Sequence, residues 1–168
     1  KPQPTVLHPD PMIEVRPALT QVDDLVIVVG SAQHSHTMED PFTAGERITM
    51  LRLALKEAGV DSNRYLVMPL PDAEFHKVWV AHLLSQTPEF QVAFTNESLT
   101  GRLLKEARLK VVKIPFYHRD TYTATEVRKR MLNNGDWEAL LPKKVAAYLK
   151  RIGGVERMRD LSVSDKTI

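Results

Sequence analysis

The sequence contains no cysteine, so neither disulfide bonds nor thiolate metal sites can form. Long hydrophobic segments are also absent, because the longest purely aliphatic run, 25–29, has five residues, whereas a membrane-spanning helix needs about 20. The net charge is only +2, which gives little electrostatic field at long range. We therefore expect neither nucleic acid nor a membrane as a partner. No signal peptide is recognisable, and we expect an intracellular, cytoplasmic protein.

Several catalytic signatures are missing as well. The sequence has no Gly-x-Gly-x-x-Gly and no Walker lysine loop, which leaves dehydrogenase and P-loop interpretations without support. No serine nucleophile stands beside a base, which argues against covalent catalysis. His34 and His36 have the spacing of a metal pair, but no third ligand accompanies them at a recognisable spacing. We therefore expect no metal held by protein side chains alone.

The composition is that of a globular protein, with 43% hydrophobic and 26% charged residues. At 168 residues, the chain is expected to form one domain that spans 1–168. Its start is anomalous, because five of the eleven prolines fall within residues 1–20, which predicts little regular structure there. The apolar spacing near the end of that stretch is helical, but Pro17 is expected to break or kink such a helix. The polar tail, 158–168, is expected to fray.

Hydrophobic runs and helical patterns alternate along the rest of the chain. The first run is β-branched and bounded by Gly30, which is typical of a buried parallel strand. Strands are predicted at 25–29, 65–68, 91–95 and 109–114. Helices are predicted to include or begin at Thr43, Trp79, Leu99, Thr123 and Pro142. Thr43 and Glu46 have the spacing of a capping box, and the helix that starts there is expected to end at Gly59. This alternation predicts an α/β domain with a doubly wound parallel sheet and C-terminal helices.

A basic helix start, Tyr122-Thr-Ala-Thr-Glu-Val-Arg-Lys-Arg130, has the features of an anion site. Thr123 and Glu126 have the spacing of a capping box, and Thr125 and Arg128 then share one face of the first turns. Backbone N–H groups, the positive end of the helix dipole, a hydroxyl and a guanidinium would converge there, which suits a polyphosphate. The alternative is an ordinary capped surface helix with a solvated basic face.

Three loops are expected at the carboxyl ends of the strands, where ligands bind in doubly wound sheets: 30–41, 69–79 and 115–123. In the second loop, Asp72 and Glu74 either hold Mg²⁺ or a ribose, or cap the helix behind them. Trp79 either belongs to the core or offers a flat face to a heterocycle. The convergence of the three loops favours the anion site over its alternative.

Several motifs resemble those of archaeal-type nicotinamide mononucleotide (NMN) adenylyltransferases, a family of nucleotidyltransferases. The most specific is Gly30-Ser-Ala-Gln-His-Ser-His-Thr-Met-Glu-Asp-Pro-Phe-Thr-Ala-Gly-Glu-Arg47. The segment 122–131 is similar to the family's late Thr-x-x-Arg signature, and 69–74, 79–80 and 154–157 also fit its pattern. The likeness runs from about Val22 to Arg157. It implies a Rossmann-like nucleotidyltransferase fold, in agreement with the strand–helix pattern.

The first residues depart from that family. Its members open with a strand followed by a Gly-Arg-Phe-Gln-Pro-Phe-His-x-Gly-His segment whose two histidines bind ATP phosphates. Here the corresponding stretch is Lys1-Pro-Gln-Pro-Thr-Val-Leu-His-Pro-Asp-Pro11, and a proline stands where the second histidine is expected. His8 is the only candidate for the histidine pair. The resemblance therefore implies weak catalysis by the chain with this amino terminus.

The resemblance implies transfer of AMP from ATP to NMN, which yields NAD and pyrophosphate. His8 and Arg128 would be catalytic, and Thr123, Thr125 and Arg128 would bind ATP. The NMN or NAD side would consist of Gly30, Ser31, Asp72 and Trp79. Mg²⁺ would be carried mainly by the ATP phosphates. Three alternatives stay open: a nucleotidyltransferase with another phosphate acceptor, a catalytically impaired nucleotide-binding paralogue, and an α/β domain without nucleotide function. A homo-oligomer is also compatible with the sequence.

Overall fold

A computed structural model describes residues 12–114 and 124–164. The sheet region consists of the helices α1 (Met12–Leu19), α2 (Ala44–Glu57), α3 (Trp79–Gln86) and α4 (Ser98–Glu106) and the strands β1 (Leu25–Val29), β2 (Tyr65–Pro69), β3 (Ala93–Phe94) and β4 (Val111–Val112). Three helices follow: α5 (Ala124–Leu132), α6 (Lys143–Arg151) and α7 (Gly154–Ser164). Short 3₁₀ turns lie at Ser62–Arg64, His76–Val78 and Glu138–Leu140.

All paired strands in the described part of the chain are parallel, as the strand–helix alternation predicted. β1 pairs with β2 from Leu25 opposite Tyr65 to Val29 opposite Pro69. β3 pairs with β4, and the two pairs form separate two-stranded sheets within residues 12–114 and 124–164. β3 and β4 are much shorter than the predicted strands 91–95 and 109–114.

The side chain of Asn96 continues the β3–β4 pairing beyond the ends of both strands. Its Nδ2 donates to the Ile114 carbonyl at 2.7 Å, and its Oδ1 accepts from the Ile114 amide at 3.0 Å. An amide side chain offers both a donor and an acceptor, so it can replace a neighbouring backbone group. Asn96 therefore fixes the carboxyl end of β4, where one of the predicted site loops begins.

The predicted start and end of α2 are confirmed. The Thr43 Oγ1 accepts from the Glu46 amide at 3.1 Å, and the Glu46 carboxylate accepts from the Thr43 amide at 2.9 Å, which is a complete capping box. At the other end, Gly59 adopts a φ of 74°, a conformation that costs glycine nothing. The helix is thus bounded at both ends by local chemistry.

The described residues form three core clusters, and α2 belongs to two of them. Met50 and Ala54 pack with buried residues of α5, α6 and α7, including Val127, Met131 and Met158. Leu51 and Leu55 pack with Val15 and Val29 beneath the β1–β2 pair. The third cluster contains Leu70, Leu83 and Leu104 and lies against β3 and β4. Among the described helices, none is both long and apolar enough to cross a bilayer.

The prediction of little regular structure in residues 1–20 is wrong for Met12–Leu19, which form α1 with Pro17 inside it. A proline within a helix removes one backbone hydrogen bond, but Val15 and Ala18 compensate because they are 6% and 2% exposed. Arg64 also donates to the Leu19 carbonyl at 3.0 Å, where a cation opposes the negative end of the helix dipole. Residues 1–11 lie outside the described part of the chain.

The carboxyl terminus differs from the expectation of a frayed tail. Residues 158–164 continue α7, and the side chain of Met158 is 0% exposed. α7 starts directly after Gly153, whose φ of 68° reverses the chain at the end of α6. Pro142 is the N-cap of α6 rather than its first helical residue. Residues 165–168 lie outside the described part.

Candidate functional site

The loops that follow β1 and β2 are joined at the carboxyl ends of the two strands. We call residues 30–43, between β1 and α2, the β1–α2 loop. Its Ser31 donates from Oγ to the Asp72 carboxylate at 2.9 Å. Gln33 makes two hydrogen bonds with Asp72. Its Oε1 accepts from the Asp72 amide at 2.9 Å, and its Nε2 donates to the Asp72 Oδ2 at 3.2 Å. The structure therefore brings together Gly30, Ser31 and Asp72, which the sequence placed in separate loops.

Arg47 anchors the start of the β1–α2 loop and was given no role from the sequence. Its Nη1 and Nη2 donate to the Gly30 and Ser31 carbonyls, both at 2.9 Å. The residue is only 6% exposed, and its Nε has no hydrogen-bond partner in the described part of the chain. Burial lowers the pKa of the guanidinium, while the nearby Asp40 and Asp72 carboxylates oppose that shift. An arginine in the first turn of a helix is usually exposed, so the sequence held no signal for this role.

Ser31 adopts a backbone conformation that is uncommon for a residue with a side chain. Its φ is 48°, in the left-handed region that disfavours most side chains. The guanidinium of Arg47 holds the carbonyls on both sides of the Ser31 N–Cα bond and thereby supports this geometry. Backbone strain of this kind persists where the surroundings over-determine it. The resulting turn directs the serine hydroxyl to Asp72.

The alternative in which Asp72 caps the following helix is wrong. The N-caps of the 3₁₀ turn at His76–Val78 and of α3 are Phe75 and Val78, and neither helix start has a side-chain capping hydrogen bond. Asp72 instead accepts from Ser31 and Gln33, whereas Glu74 is exposed. Carboxylate oxygens that receive hydroxyl and amide donors are held in one orientation.

Trp79 contacts the core, as one of its two predicted alternatives requires, and its role as a flat face for a heterocycle stays a prediction. It is the first residue of α3, it is partly buried, and it packs against the cluster of Leu70, Leu83 and Leu104. A tryptophan that is fixed on one side by core residues presents a rigid ring to whatever lies beside it.

The two histidines of the β1–α2 loop make different contacts. The His34 Nε2 lies 3.6 Å from the Asp72 Oδ2 and 3.1 Å from the Gln33 amide nitrogen. The His36 Nδ1 lies 2.9 Å from the Ser35 hydroxyl, and the φ of His36 is 58°. The two rings are thus engaged with different side chains of the loop.

On α5, Arg128 and Thr125 lie together as the predicted shared face requires. The Arg128 Nη2 is 3.5 Å from the Thr125 Oγ1, at the limit of a hydrogen bond. Arg128 is partly buried, and this burial lowers its pKa, opposed by the charges of Asp40 and Glu39. The late part of the β1–α2 loop therefore faces the basic helix. The predicted Thr123 cap, its loop 115–123 and His8 lie outside the described residues.

Arg130 has a different role from its neighbour Arg128. Its Nε donates to the Glu126 carboxylate at 3.0 Å, and its Nη1 donates to the Asp136 carbonyl at 3.0 Å. Both bonds stay within α5 and the turn that follows it. Arg130 therefore stabilises the end of α5, although it belongs to the same basic cluster, 128–130, as Arg128.

Arg157 of α7 anchors the end of the β1–α2 loop and was also missed as a site component. It makes a two-point ion pair with Glu46, at 2.6 and 2.8 Å, and donates to the Pro41 carbonyl at 3.2 Å. Its guanidinium lies 5.6 Å from the centre of the Phe42 ring. The hydrogen bond from Arg157 is the largest effect that lowers the pKa of Glu46. Because these partners are 111 to 116 residues apart, no local pattern could reveal them.

Comparison with known sequences identifies relatives over most of the chain. The cytidylyltransferase-like family model matches residues 8–130. A nicotinamide-nucleotide adenylyltransferase of Pyrococcus horikoshii is 49% identical over 145 residues, which cover 86% of this chain and 77% of that protein. The enzyme of the same name from Archaeoglobus fulgidus is 44% identical over 155 residues, 90% of this chain and 88% of that protein. That of Saccharolobus solfataricus is 40% identical over 149 residues, 89% and 87% of the two chains.

Solved structures show the same fold at low sequence identity. A bifunctional NMN adenylyltransferase/ADP ribose pyrophosphatase from Francisella tularensis, complexed with AMP and a manganese ion, superposes with a TM-score of 0.75 at 18% identity. Another crystal structure of such a protein from that organism gives a TM-score of 0.72 at 15% identity. This chain spans about half the length of those two proteins, 49% and 50%. By its family model and its archaeal relatives, the chain belongs to the cytidylyltransferase-like family, together with the archaeal nicotinamide-nucleotide adenylyltransferases.

Proposed function

We propose that the chain is a nicotinamide-nucleotide adenylyltransferase, which transfers AMP from ATP to NMN and releases pyrophosphate. One observation carries this proposal beyond family membership. The β1–α2 loop contacts Asp72 at the carboxyl ends of β1 and β2 through Ser31, and it faces Arg128 of α5 through Asp40. A reaction between two nucleotides needs two adjoining binding sites, and this single loop borders both.

The ATP side of the site is proposed to lie at the start of α5. The first amides of a helix and its dipole attract phosphate oxygens, and Thr125 and Arg128 add a hydroxyl and a guanidinium beside them. A partly buried guanidinium interacts more strongly with a phosphate than an exposed one, because the local dielectric constant is lower. Thr123 and His8 are further proposed contacts, supported by the sequence resemblance.

The NMN side is proposed to lie over the carboxyl ends of β1 and β2. Asp72 is oriented by Ser31 and Gln33, so its carboxylate is preorganised to accept from a hydroxyl or an amide of the mononucleotide. Gly30 and Ser31 would contact the mononucleotide through their backbone, which Arg47 holds in place. The partly buried ring of Trp79 would stack on the nicotinamide.

The proposed chemistry needs no nucleophile from the protein. A phosphate oxygen of NMN attacks the α-phosphorus of ATP in line, and a new P–O bond forms. The bond between that phosphorus and the oxygen that bridges to the β-phosphate breaks, and pyrophosphate leaves with the electron pair. The protein contributes position and positive charge, which are the main requirements of such transfers.

The side chains present fit a metal that arrives with the nucleotide. In the described part of the chain, no group of three or more histidine, aspartate or glutamate side chains could hold a metal ion. Mg²⁺ commonly keeps several waters and binds substrate phosphates with few protein ligands. We therefore treat it as part of the substrate, where it neutralises phosphate charge, while Arg128 and the α5 amides orient the same phosphates.

The proposal is tested by NAD formation from ATP and NMN, coupled to alcohol dehydrogenase, with reactions that lack either nucleotide as controls. Nicotinic acid mononucleotide and pantetheine phosphate serve as alternative acceptors, which distinguishes this enzyme from a nucleotidyltransferase of other specificity. Titration calorimetry with NAD provides an independent measurement, and we expect binding even where turnover is slow. A chain that neither forms NAD nor binds it up to millimolar concentration would overturn the proposed function.

A further inference from the structure

The β1–α2 loop is held at its two ends by two arginines that make different contacts. Arg47 donates to the carbonyls of Gly30 and Ser31, the first two residues of the loop. Arg157 donates to the carbonyl of Pro41 and to Glu46, next to the last residues of the loop. Both arginines are charged, and charged donors form the stronger hydrogen bonds. The two ends of the loop are therefore anchored separately.

The Arg47 end of the loop belongs to the side that carries Asp72. Ser31 has a φ of 48° and donates its hydroxyl to Asp72. The two carbonyls that Arg47 binds flank the bond about which this φ is defined. Without the guanidinium, we expect the Ser31 backbone to relax toward negative φ, because that region is lower in energy for an L-residue. The serine hydroxyl would then turn away from Asp72.

The Arg157 end of the loop belongs to the side that carries Arg128. Met38 and Phe42 pack against the core cluster that joins α2 to α5, α6 and α7, and the charges of Glu39 and Asp40, which lie between them, act on Arg128. The Pro41 carbonyl that Arg157 binds is one residue beyond Asp40. Arg157 therefore fixes the position of Asp40 relative to the basic helix start.

Glu46 links Arg157 to the capping box of α2. The same carboxylate oxygen accepts from the Thr43 amide at 2.9 Å and from the Arg157 Nη1 at 2.6 Å. The side chains of Arg157 and Glu46 are 21% and 18% exposed, so the pair is largely shielded from water. An ion pair that is both two-pointed and shielded holds its geometry better than an exposed one. The end of the loop is thus tied to α2 and α7 at once.

We infer that Arg47 and Arg157 are positioning residues with separate roles. Arg47 positions the NMN side of the site, and Arg157 positions the ATP side. Neither arginine touches a substrate; each acts through the segment of the β1–α2 loop that it anchors. This inference rests on the proposed function for the identity of the two nucleotides. It adds which residue controls the affinity for each of them.

The inference predicts opposite kinetic effects for two matched substitutions. Arg47→Lys should raise KM for NMN about five- to tenfold, the equivalent of roughly one hydrogen bond, and change KM for ATP less than about twofold. Arg157→Lys should raise KM for ATP by a similar factor and leave KM for NMN within about twofold. Lysine keeps the charge but cannot make two parallel hydrogen bonds. Each variant therefore serves as the control for the other.

Two further variants separate positioning from general stability. Glu46→Gln keeps an acceptor for the Thr43 amide but removes the charge that Arg157 pairs with, so it should reproduce the ATP effect of Arg157→Lys. Arg102→Lys alters an exposed arginine that pairs with Glu106 inside α4 and should change neither KM. All variants are compared at equal folded concentration, measured by circular dichroism. A purely structural role would lower stability and leave both KM values unchanged.

The inference depends on a crossed pattern, in which Arg47→Lys raises only KM for NMN and Arg157→Lys raises only KM for ATP. The inference is overturned if Arg47→Lys and Arg157→Lys each raise the KM values for ATP and NMN by the same factor, or if neither variant changes either KM value. If the wild-type chain forms no NAD, calorimetric Kd values for ATP and NMN replace the KM values, and the proposed function itself fails only if NAD does not bind either. The same crossed pattern would then still support the inference. A wild-type chain that binds neither nucleotide would overturn it.

Discussion

Substitution of Arg128 by alanine tests the basic helix start most directly. The side chain is partly buried at the site, and its contact with the Thr125 hydroxyl is weak at 3.5 Å. Its removal should therefore cost less than about 0.5 kcal/mol of the free energy of unfolding. For a protein of this size, that corresponds to a decrease of about 2 °C or less in Tm.

The expected loss of activity is much larger. A preorganised charged donor directed at a reacting phosphate typically stabilises the transition state by about 2–4 kcal/mol. At 1.36 kcal/mol per decade, kcat/KM for ATP should fall about 30- to 900-fold. The negative charges of Asp40 and Glu39 should add to this loss of activity. In the wild type they lie near the Arg128 guanidinium, and without it they would repel the ATP phosphates. The measurement is a coupled NAD-formation assay at varied ATP, together with thermal unfolding.

Arg130→Ala is the matched control, since it removes the same side chain two positions further along α5. Arg130 donates to Glu126 and to the Asp136 carbonyl, each at 3.0 Å. Its loss should lower Tm by several degrees, the equivalent of about 1 kcal/mol, and change kcat/KM less than about threefold. Wild-type activity in the Arg128 variant, or an equal loss of activity in both variants, would refute the assignment of Arg128 to the ATP phosphates.

Four other expectations can be measured separately. Trp79→Ala should raise KM for NMN much more than KM for ATP, because stacking serves only the nicotinamide; unchanged KM values with a large fall in Tm would make the residue purely part of the core. The carboxylate of Glu46 has a lowered pKa, chiefly through its hydrogen bond from Arg157. The stability from this pair is therefore complete above the ordinary pKa of 4.5 and is lost as the pH falls through the lower folded value. In urea unfolding, the wild type should lose more stability than Glu46→Gln between about pH 6 and about pH 3, and parallel losses would contradict this. Asn96→Ala should lower the free energy of unfolding by about 2 kcal/mol, since two hydrogen bonds disappear, and a change below about 0.5 kcal/mol would contradict the role given to its side chain. Replacement of residues 1–12 by a strand and a His-x-Gly-His segment should raise turnover about 100-fold or more, because positioned phosphate donors are worth that much, and equal turnover of the two proteins at the same folded concentration would show that His8 and α5 suffice.

The sequence alone determined the features that depend on neighbouring residues. The capping box of Thr43 and Glu46, the stop of α2 at Gly59 and the β-branched strand Leu25–Val29 were all predicted and are present. Each rests on interactions within a few positions of the chain or on a simple hydrophobic period. The long motif 30–47 also indicated the family, because a run of that length is specific even without an alignment.

Local patterns were less successful where burial decides the outcome. Pro17 was expected to break or kink a helix, and α1 is not broken there because Val15 and Ala18 are buried against the domain. The tail was expected to fray, but Met158 is fully buried in the cluster that joins α2 to the last three helices. Propensity is a small free energy per residue, and the burial of an apolar side chain outweighs it.

Only the tertiary structure decided how the site is held together. Along the chain, Arg47 and Arg157 look like ordinary charged residues on helices. In the fold, Arg47 is buried under the carbonyls of Gly30 and Ser31, and Arg157 pairs with Glu46, 111 residues away. The cost of burying a guanidinium is offset only when several acceptors meet it at once. Such acceptors come from parts of the chain that become neighbours only on folding, so the positions of these two arginines follow from the fold and not from any pattern along the chain.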